Sequence, residues 1–477
     1  MCLTLNSLIE KYPVTFDVQK LEYEYYKVLK DFSKKIVVLD DDPTGVQTVH
    51  GVPVYTDWTL DTIRAAFSRD EHLFFVLTNS RSFSSKKTIE VHAEISKHIV
   101  EAARETGKDF VIISRSDSTL RGHYPIETQI LKETIQENSM FKIDGEILIP
   151  FFLEGDRFTA NNIHYVQYGK KLIPAAETEF AKDKTFGYAN SHLGKWIEEK
   201  TEGKFKEQDI SFITLEQLRT CNIDLILETL LNVDNFNKVV VNALDEIDLK
   251  VFVIALIKAL NLNKRFIFRT AASFVKVFGA IEQRALLTKN DLLFFDTKEG
   301  GIVIVGSHVQ KTTEQLAELK KCDFIEFIEF NQHLVLSPVL LQNEEKRVME
   351  IATDAIMKGK TAVIYTRRER IDLNTGNKEE ELEIAVRISD ALSRIVRNLS
   401  VRPAFIIAKG GITSSDIGTK GLGVKKAIVA GQIKPGVPVW ITGEESKFPR
   451  IPYIIFPGNV GTKETLREVI EILSSAH

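Results

Sequence analysis

KIVVLDDDPTG at residues 35–45 and DFVIISRSDSTLRG at 109–122 share one layout: a short, β-branched apolar run opening directly into a polar, glycine-ended turn. The apolar part barely alternates, as expected of a strand covered on both faces. Runs of the same kind recur at Leu73–Asn79, Glu146–Phe152, Lys238–Ala243 and Arg265–Arg269. Between them lie stretches of helical period. Ser85–Thr106 places Ile89, Ile95, Ile99 and Ala102 on a predicted apolar face, Pro125–Glu137 opens with proline in its first turn, and Asp248–Leu260 follows. Strands and helices in this alternation predict an α/β domain on a mainly parallel sheet.

A second series begins near Gly300. Its expected strands are Ile302–Val305, Ala362–Tyr365, Ala404–Ala408, Val437–Ile441 and Tyr453–Phe456, and its helices Thr312–Lys320, Asn343–Lys358, Glu379–Leu399 and Lys463–Leu473. The polar, glycine-ended stretch between Thr288 and Gly300 is the predicted join. The expected organisation is a helical appendage over 1–33, an α/β domain over 34–290 and a second over 300–477. Both α/β domains should carry mainly parallel sheets, with the ligand cleft between them. Gly155–Lys204, rich in Tyr, Asn, Gly and Lys, breaks the pattern. It reads as irregular structure with a hairpin around Tyr165–Lys171, the kind of insertion that carries binding loops.

Composition narrows the class. A chain of 477 residues exceeds one hydrophobic core, and 44% hydrophobic with 27% charged residues fits an ordinary soluble protein. Lys+Arg 62 against Asp+Glu 66 leaves a net charge of -4, without the broad basic footprint of a nucleic-acid partner. Arg367-Arg368-Glu369-Arg370 reads as a solvated strand end, and Glu379-Glu380-Glu381 as a helix N-terminus favoured by its dipole. Cys2, Cys221 and Cys322 are too dispersed for a disulfide framework or a zinc site. His50, His123, His164, His192 and His308 lack metal-ligand spacing. No apolar run reaches the ~18 residues that would suggest a membrane span. MCLTLNSLIEKYP lacks a basic start and is broken at Asn6, so no signal peptide is expected and the predicted address is the cytoplasm.

In an open α/β sheet, ligands bind outside the carboxyl ends of the strands. Three predicted strand ends of the first half are dense in polar groups: Asp40-Asp41-Asp42-Pro43-Thr44-Gly45, Thr78-Asn79-Ser80-Arg81-Ser82, and Ser114 through Ser116, Asp117, Ser118 and Arg121 to Gly122. Arginine can grip a carboxylate bidentately; aspartate can accept a hydroxyl, bind a cation or act as base. Singly, such residues are as well explained as turn and cap formers. Clustered on three strand ends, they mark a candidate site. The second half repeats the geometry with Gly306-Ser307-His308, Lys409-Gly410-Gly411-Ile412-Thr413-Ser414-Ser415 and Pro457-Gly458-Asn459-Val460-Gly461. Glycines at strand-to-helix turns let backbone N–H groups approach an anion, so three such turns suggest a nucleotide cradle, although no Walker A or GxGxxG pattern is present.

These residues resemble the four-carbon acid sugar kinase family over most of the chain, from about Lys35 to Leu473. Asp41-Asp42-Pro43-Thr44-Gly45 is similar to its DDxTG, and Asp117-Ser118-Thr119-Leu120-Arg121-Gly122 to its DSTLRG. Gly155-Asp156-Arg157-Phe158-Thr159 and Glu177-Thr178-Glu179-Phe180-Ala181 with Asp183 resemble its GRxT and ETxFAxD segments. Gly306-Ser307 with Thr312 and Gln315, Gly410-Gly411-Ile412-Thr413-Ser414 and Pro457–Gly461 are similar to its GSxSxxTxxQ, GGDTS and PGNxG. Ile412 stands where the family has an acidic residue, Val309 replaces the second Ser of GSxS, and Arg269-Thr270-Ala271-Ala272-Ser273 stands for a Gly-Ser-Ala-Gly run.

The resemblance implies a front domain for the sugar acid, a rear domain for ATP, and Mg²⁺-assisted transfer of the γ-phosphoryl group to a terminal hydroxyl of a tetronate or 3-oxo-tetronate. It implies substrate contacts from Asp41, Asp42, Arg81, Ser116, Asp117, Ser118, Arg121 and Arg157. Arg81 and Arg121 would hold the substrate carboxylate, and Asp41 or Asp117 would take the proton. Nucleotide contacts are expected from Ser307, Gly410, Gly411, Thr413, Ser414, Gly458, Asn459 and Gly461; no metal ligand is assigned. Two other readings are open: a haloacid-dehalogenase-like phosphatase with Asp40 as nucleophile, and a non-catalytic sugar-acid-binding protein. The expected partners are an acid sugar and ATP, with neither nucleic acid nor membrane. A homo-oligomer is compatible with the chain, but no stretch is assignable to an interface.

Overall fold

The computed structural model describes residues 3–293, 297–369, 371 and 378–474. The chain divides into two compact units, one of Met1–Thr48 with Asp57–Glu282, the other of Val49–Thr56 with Gln283–His477. Val49–Thr56 lies inside the stretch expected to form the front domain, yet it counts with the second unit. In chain order the strands up to residue 282 are β1 (Lys35–Asp40), β2 (Pro53–Tyr55), β3 (Leu73–Leu77), β4 (Phe110–Arg115), β5 (Gly145–Ile149) and β6 (Arg157–Ala160). They continue with β7 (Ile163–Tyr168), β8 (Lys171–Pro174), β9 (Ser211–Ile213), β10 (Asn237–Val241) and β11 (Phe266–Thr270).

The first unit is built on the order β3-β1-β4-β11-β5-β10-β9, every pairing parallel. Every residue of β1, β3 and β4 is buried, which is why their sequences run apolar without alternating. The helix Ser85–Thr106 is capped by Ser84, whose side chain accepts from the Lys87 N–H, and ends at Gly107 with φ +66°. Its buried stripe runs through Thr88, Val91, His92, Ile95 and Ile99, whereas Ile89 is 41% exposed. Stepping back from Ile99 and Ile95 at helical period leads to Val91 and Thr88, so Ile89 falls off the stripe. Pro125 sits one residue ahead of the helix Ile126–Asn138, after a cis bond from Tyr124. At the N-terminus, Leu5–Lys11 and Val18–Lys30 are helical.

The stretch expected to be irregular is ordered. β6, β7 and β8 form an antiparallel sheet, with the β7–β8 hairpin turning at Gly169 (φ +60°), and the helix Leu193–Lys200 follows. Its strands are short and polar, so they leave no apolar run to find. The segment after them joins a buried cluster that includes Leu120, Tyr188, Leu193 and Trp196, with Trp196 stacked on Tyr124 at 4.6 Å.

The second unit adds β12 (Ile302–Val305), β13 (Ile325–Phe330), β14 (Thr361–Thr366), β15 (Ile406–Lys409), β16 (Lys426–Lys434), β17 (Val437–Thr442) and β18 (Pro452–Phe456). The order β13-β14-β12-β15-β18 is parallel; β17, β16 and β2 continue it antiparallel. The predicted helices occur as Gln310–Leu319, Pro338–Met357, Lys378–Asn398 and Thr465–Ser474. The side chains of Glu379, Glu380 and Glu381, with Cys2 and Arg370, lie outside the described residues. Among the described residues, no helix is long and apolar enough to cross a membrane. Both units are therefore α/β with mainly parallel sheets. In the first, β3, β1, β4 and β11 are successive neighbours, and in the second β12, β15 and β18 are; the polar turns of each unit thus share one strand-end edge.

Candidate functional site

In the first unit one guanidinium organises the edge. Arg81 donates twice to Asp41, from Nε at 3.0 Å and Nη2 at 2.6 Å, and its Nη1 lies 3.3 Å from Asp42 and 3.7 Å from Asp117. A second fork joins Arg121 to Asp117 at 3.0 and 3.1 Å, and the Arg121 Nη1 is 3.8 Å from Asp183. Burial alone would raise the Asp117 carboxyl. Arg81, Arg121 and the Thr119 hydroxyl outweigh it and hold the group well below the usual carboxylate range. Burial raises Asp41, against the pull of Arg81.

Asp40 is 1% exposed, and a Cβ on Gly45 would fall 2.0 and 2.2 Å from its two carboxylate oxygens. The glycine backbone thus lies directly on the carboxyl. Arg115 is 3.4 Å away, but one oxygen of Asp40 has no partner and burial pushes the carboxyl up to about 7. A nucleophile needs an open approach, which this carboxyl lacks; the phosphatase reading on Asp40 is not supported.

The turn from Ser116 to Gly122 is clamped from several sides. Ser116 N–H donates to the Thr270 carbonyl at 2.9 Å, Tyr188 Oη to Thr119 O at 2.8 Å, and Arg269 to Arg121 O at 3.1 Å. His164 Nε2 lies 2.7 Å from Ser118 O and its Nδ1 2.9 Å from the Thr159 hydroxyl. Burial lowers this imidazole to about 4, so it is neutral near pH 7. Because a carbonyl can only accept, Nε2 carries the hydrogen and Nδ1 accepts from Thr159. Leu120 is buried at φ +68°, a conformation that a branched side chain adopts only when its surroundings impose it.

Not every predicted substrate contact is free to make one. Arg81 and Arg121, expected to grip a substrate carboxylate, are already forked onto Asp41 and Asp117. Ser116 is fully buried, with its hydroxyl 3.5 Å from that of Ser114. Thr44 donates to Asp42 at 2.6 Å and so fixes that carboxylate. Arg157 is different: among the described residues it has no ion pair, its Nη1 donates to the Gly155 carbonyl, its Nε is buried without a partner, and its guanidinium lies 5.4 Å from the Phe180 ring, which Arg121 also faces at 5.1 Å. Sequence reasoning missed Glu127. Its Oε1 accepts from Ser80 at 2.9 Å, and its Oε2 would lie 4.0 Å from a Cβ on Gly122, close to Asp41 and Arg269. A lone glutamate in a helix's first turn gives no signal of this.

In the second unit the three turns close around Ser307. A Cβ on Gly410 (φ +118°) would lie 3.2 Å from Ser307 Cβ, one on Gly458 3.2 Å from Ser307 Oγ, and one on Gly306 2.4 Å from the Thr413 hydroxyl. Thr312 donates to Ser307 Oγ at 3.2 Å, and Gln315 to the Val460 and Thr462 carbonyls at 3.2 and 2.7 Å. These contacts pack the three turns against Ser307 and Thr413 so closely that a side chain at Gly306 or Gly410 would displace a neighbour. Gly411 opens the helix Gly411–Asp416; Asn459 is exposed, and Gly461 turns at φ +81°. Ser414 points inward, donating to Ala408 O at 2.8 Å while its own carbonyl accepts from Tyr453. It braces the turn. Arg368 is no solvated strand end: it donates to Ser307 O at 2.8 Å and to the Thr313 hydroxyl. Lys409, also missed, is fully buried beneath the turn of Pro457 and Gly458. Among the described residues, no group of three or more His, Cys, Asp or Glu side chains is arranged to hold a metal ion.

No protein of curated function matches the chain. Solved structures that share its fold include two bacterial proteins. The Haemophilus influenzae protein HI1011 is 16% identical with a TM-score of 0.60, over 92% of this chain and 100% of that one. A Salmonella typhimurium LT2 protein, named a putative tRNA synthase, is 15% identical with a TM-score of 0.63, over 92% of this chain and 98% of the other. Residues 36–278 match the sugar-binding N-terminal domain model, and residues 302–466 match the nucleotide-binding C-terminal domain model. With both domains accounted for, the chain belongs to the four-carbon acid sugar kinase family.

Proposed function

We propose that the chain is an ATP-dependent kinase phosphorylating the terminal hydroxyl of a four-carbon acid sugar, a tetronate or 3-oxo-tetronate. The observation that carries the reading is the cluster of Asp41, Asp42 and Asp117 around the single Arg81 guanidinium, on the strand-end edge of the sugar-binding unit. Asp117, kept ionised, accepts from a substrate hydroxyl. Asp41, lifted by burial, is the better proton acceptor for the attacking oxygen, since a base works best with its pKa near the working pH. Arg157, with an unpartnered Nε and no carboxylate of its own among the described residues, meets the substrate's carboxylate in place of the paired Arg81 and Arg121.

In the nucleotide-binding unit, the backbone N–H groups at Gly411 and Gly458–Gly461 and the Ser307 hydroxyl face the phosphates, while the Gly410 N–H is taken by the Phe456 carbonyl at 2.9 Å and its missing side chain leaves room beside Ser307. Phosphoryl transfer depends chiefly on alignment and charge neutralisation, which these groups supply. Magnesium would neutralise phosphate charge, held by phosphate oxygens and water with one or two carboxylates, since no larger set of ligands is present among the described residues.

The test is a coupled ADP-release screen over threonate, erythronate and 3-oxo-tetronate, with and without Mg²⁺. Magnesium-dependent ADP production with one of these acids is the expected result. Binding of an acid with no ADP from any of them would select the sugar-acid-binding reading instead. That reading draws its support from Ile412, 62% exposed where the family carries an acidic residue.

A further inference from the structure

Two lysines converge on the Pro457–Asn459 turn, and neither has a carboxylate among the described residues. Lys409, the last residue of β15, is fully buried; its Nζ donates to Pro457 O at 3.0 Å and Gly458 O at 3.5 Å, and lies 4.0 Å from the Phe456 ring centroid. Lys311, in the first turn of the helix Gln310–Leu319, donates from Nζ to Asn459 O at 3.2 Å. The charged group acting on Lys409 is Lys311, another cation. Burial, with that repulsion, brings the Lys409 ammonium down to about 7. Its other neighbours are carbonyls and an aromatic face, which solvate a cation without cancelling its charge.

Buried charges are normally paired, because an unpaired one forgoes its hydration. Two ammonium groups on one glycine turn, without a counter-ion, describe a site completed by an anion. The same turn packs against Ser307, and its Gly458 carbonyl also takes a hydrogen bond from Thr312 at 3.4 Å. We propose that Lys409 and Lys311 are the counter-charges for the polyphosphate of the bound nucleotide, Lys409 from beneath the Pro457–Asn459 turn and Lys311 from its rim, and that nucleotide binding draws a proton from solvent onto Lys409. The proposal rests on the nucleotide-binding assignment of this unit. It adds which side chains neutralise the phosphates and couples binding to pH.

The sign follows from linkage. A group whose pKa is low in the empty site and rises in the complex takes up a proton on binding, so affinity falls as pH rises above about 7. The experiment is calorimetric titration of the full chain with Mg²⁺·ADP at about pH 8, in two buffers of different ionisation enthalpy; uptake there should approach about one proton per nucleotide. Lys409→Met should bind about tenfold more weakly and lose the buffer dependence, and Lys311→Met should weaken binding and reduce the uptake only in part, because burial still lowers Lys409. Without nucleotide, Lys409→Met should melt no lower than wild type, because a buried cation is replaced by an apolar chain of similar length. If Lys409 only braced the turn, this variant would melt lower and bind with unchanged proton uptake. Wild-type binding without uptake, or Lys409→Met and Lys311→Met both binding as tightly as wild type, would overturn the proposal and leave the kinase reading standing. Failure of the wild type to bind any nucleotide would overturn both.

Discussion

Removing the Arg81 guanidinium should destabilise the first unit in a way that depends on pH. Three carboxylates meet this group at 2.6 Å (Asp41), 3.3 Å (Asp42) and 3.7 Å (Asp117), and its side chain is 24% exposed. At an effective dielectric of about 20, each contact is worth roughly 4 kcal/mol of gross attraction near 4 Å, most of it offset by the cost of taking the charges out of water. Breaking a buried pair by deleting one partner leaves a net loss of about 3–5 kcal/mol, and partial exposure argues for the lower end, about 3 kcal/mol for Arg81→Met. Asp41 and Asp42 then repel each other and Asp117, which Arg121 still forks, and the folded-state pKa values of the first two rise above the unfolded ones. Such groups add stability below the unfolded pKa and lose it as pH rises, so the deficit should be larger at about pH 8 than at about pH 5. In the wild type, Asp117 is depressed, and its contribution persists across this window. The titration of Asp40 is set first by burial and next by Arg115, which are the same in both proteins, so to first order it cancels between them. Pulsed hydrogen exchange of the β1 and β4 peptides along a urea series, with a common labelling pulse, reads this unit alone. A deficit equal at the two pH values, or below about 1 kcal/mol at the higher one, would refute the claim that one guanidinium holds three carboxylates together.

Three further outcomes are expected. Gly45→Ala should lower the urea midpoint of the same peptides by the equivalent of about 1–3 kcal/mol, because its methyl would sit 2.0 Å from an Asp40 oxygen fixed on β1; an unchanged midpoint would mean that Asp40 is not locked under the turn. Asp117→Asn should cut kcat/KM for the acid about 10–100-fold while leaving nucleotide affinity within about twofold, measured by steady-state kinetics and by titration. In Gly410→Ala, a side chain forced to φ +118° would stand 3.2 Å from Ser307 Cβ, so the nucleotide KM should rise about tenfold with the acid's KM unchanged.

The fold was legible where local chemistry and tertiary environment agree. β1 and the helix Ser85–Thr106 have the bounds read from sequence, because an apolar run covered on both faces, a serine cap and a terminal glycine each leave a mark. β16 was not seen. Its sequence KAIVAGQIK alternates buried and half-buried residues, the signature of a strand covered mainly on one face, which is fainter in a sequence than a continuous apolar run. β13, IEFIEF, interleaves glutamates with apolar residues and escaped for a similar reason. For the candidate site, sequence reasoning could name Asp41, Asp117, Arg81 and Arg121, because polar clusters at strand ends are visible in one dimension. It could not say that Arg81 closes on Asp41 from 40 residues away, or that Ser414 faces the interior, because pairing and orientation follow from strand order. In the sequence Lys409 is one more lysine at a strand end. Only burial without a carboxylate distinguishes it.

The two units handle charge in opposite ways, and the proposed chemistry gives a reason. On the first, Asp41, Asp42 and Asp117 are matched with Arg81 and Arg121 before any ligand arrives, so their carboxylates are held ionised or poised at fixed positions. A small acid with several hydroxyls loses little by meeting groups already oriented, and a stiff, pre-paired edge can select its hydroxyl pattern. On the second, Lys409 and Lys311 have no matching carboxylates among the described residues, and the glycine turns offer N–H groups rather than side chains. There the ligand's own phosphates complete the charge balance. If the second unit had been neutralised in advance by aspartates, the polyphosphate would have to displace them, and much of its binding energy would be lost to that exchange. Pre-pairing where the ligand is weakly charged, and leaving cations unpaired where it is strongly charged, is what transfer from a nucleotide to a sugar acid requires of these two edges.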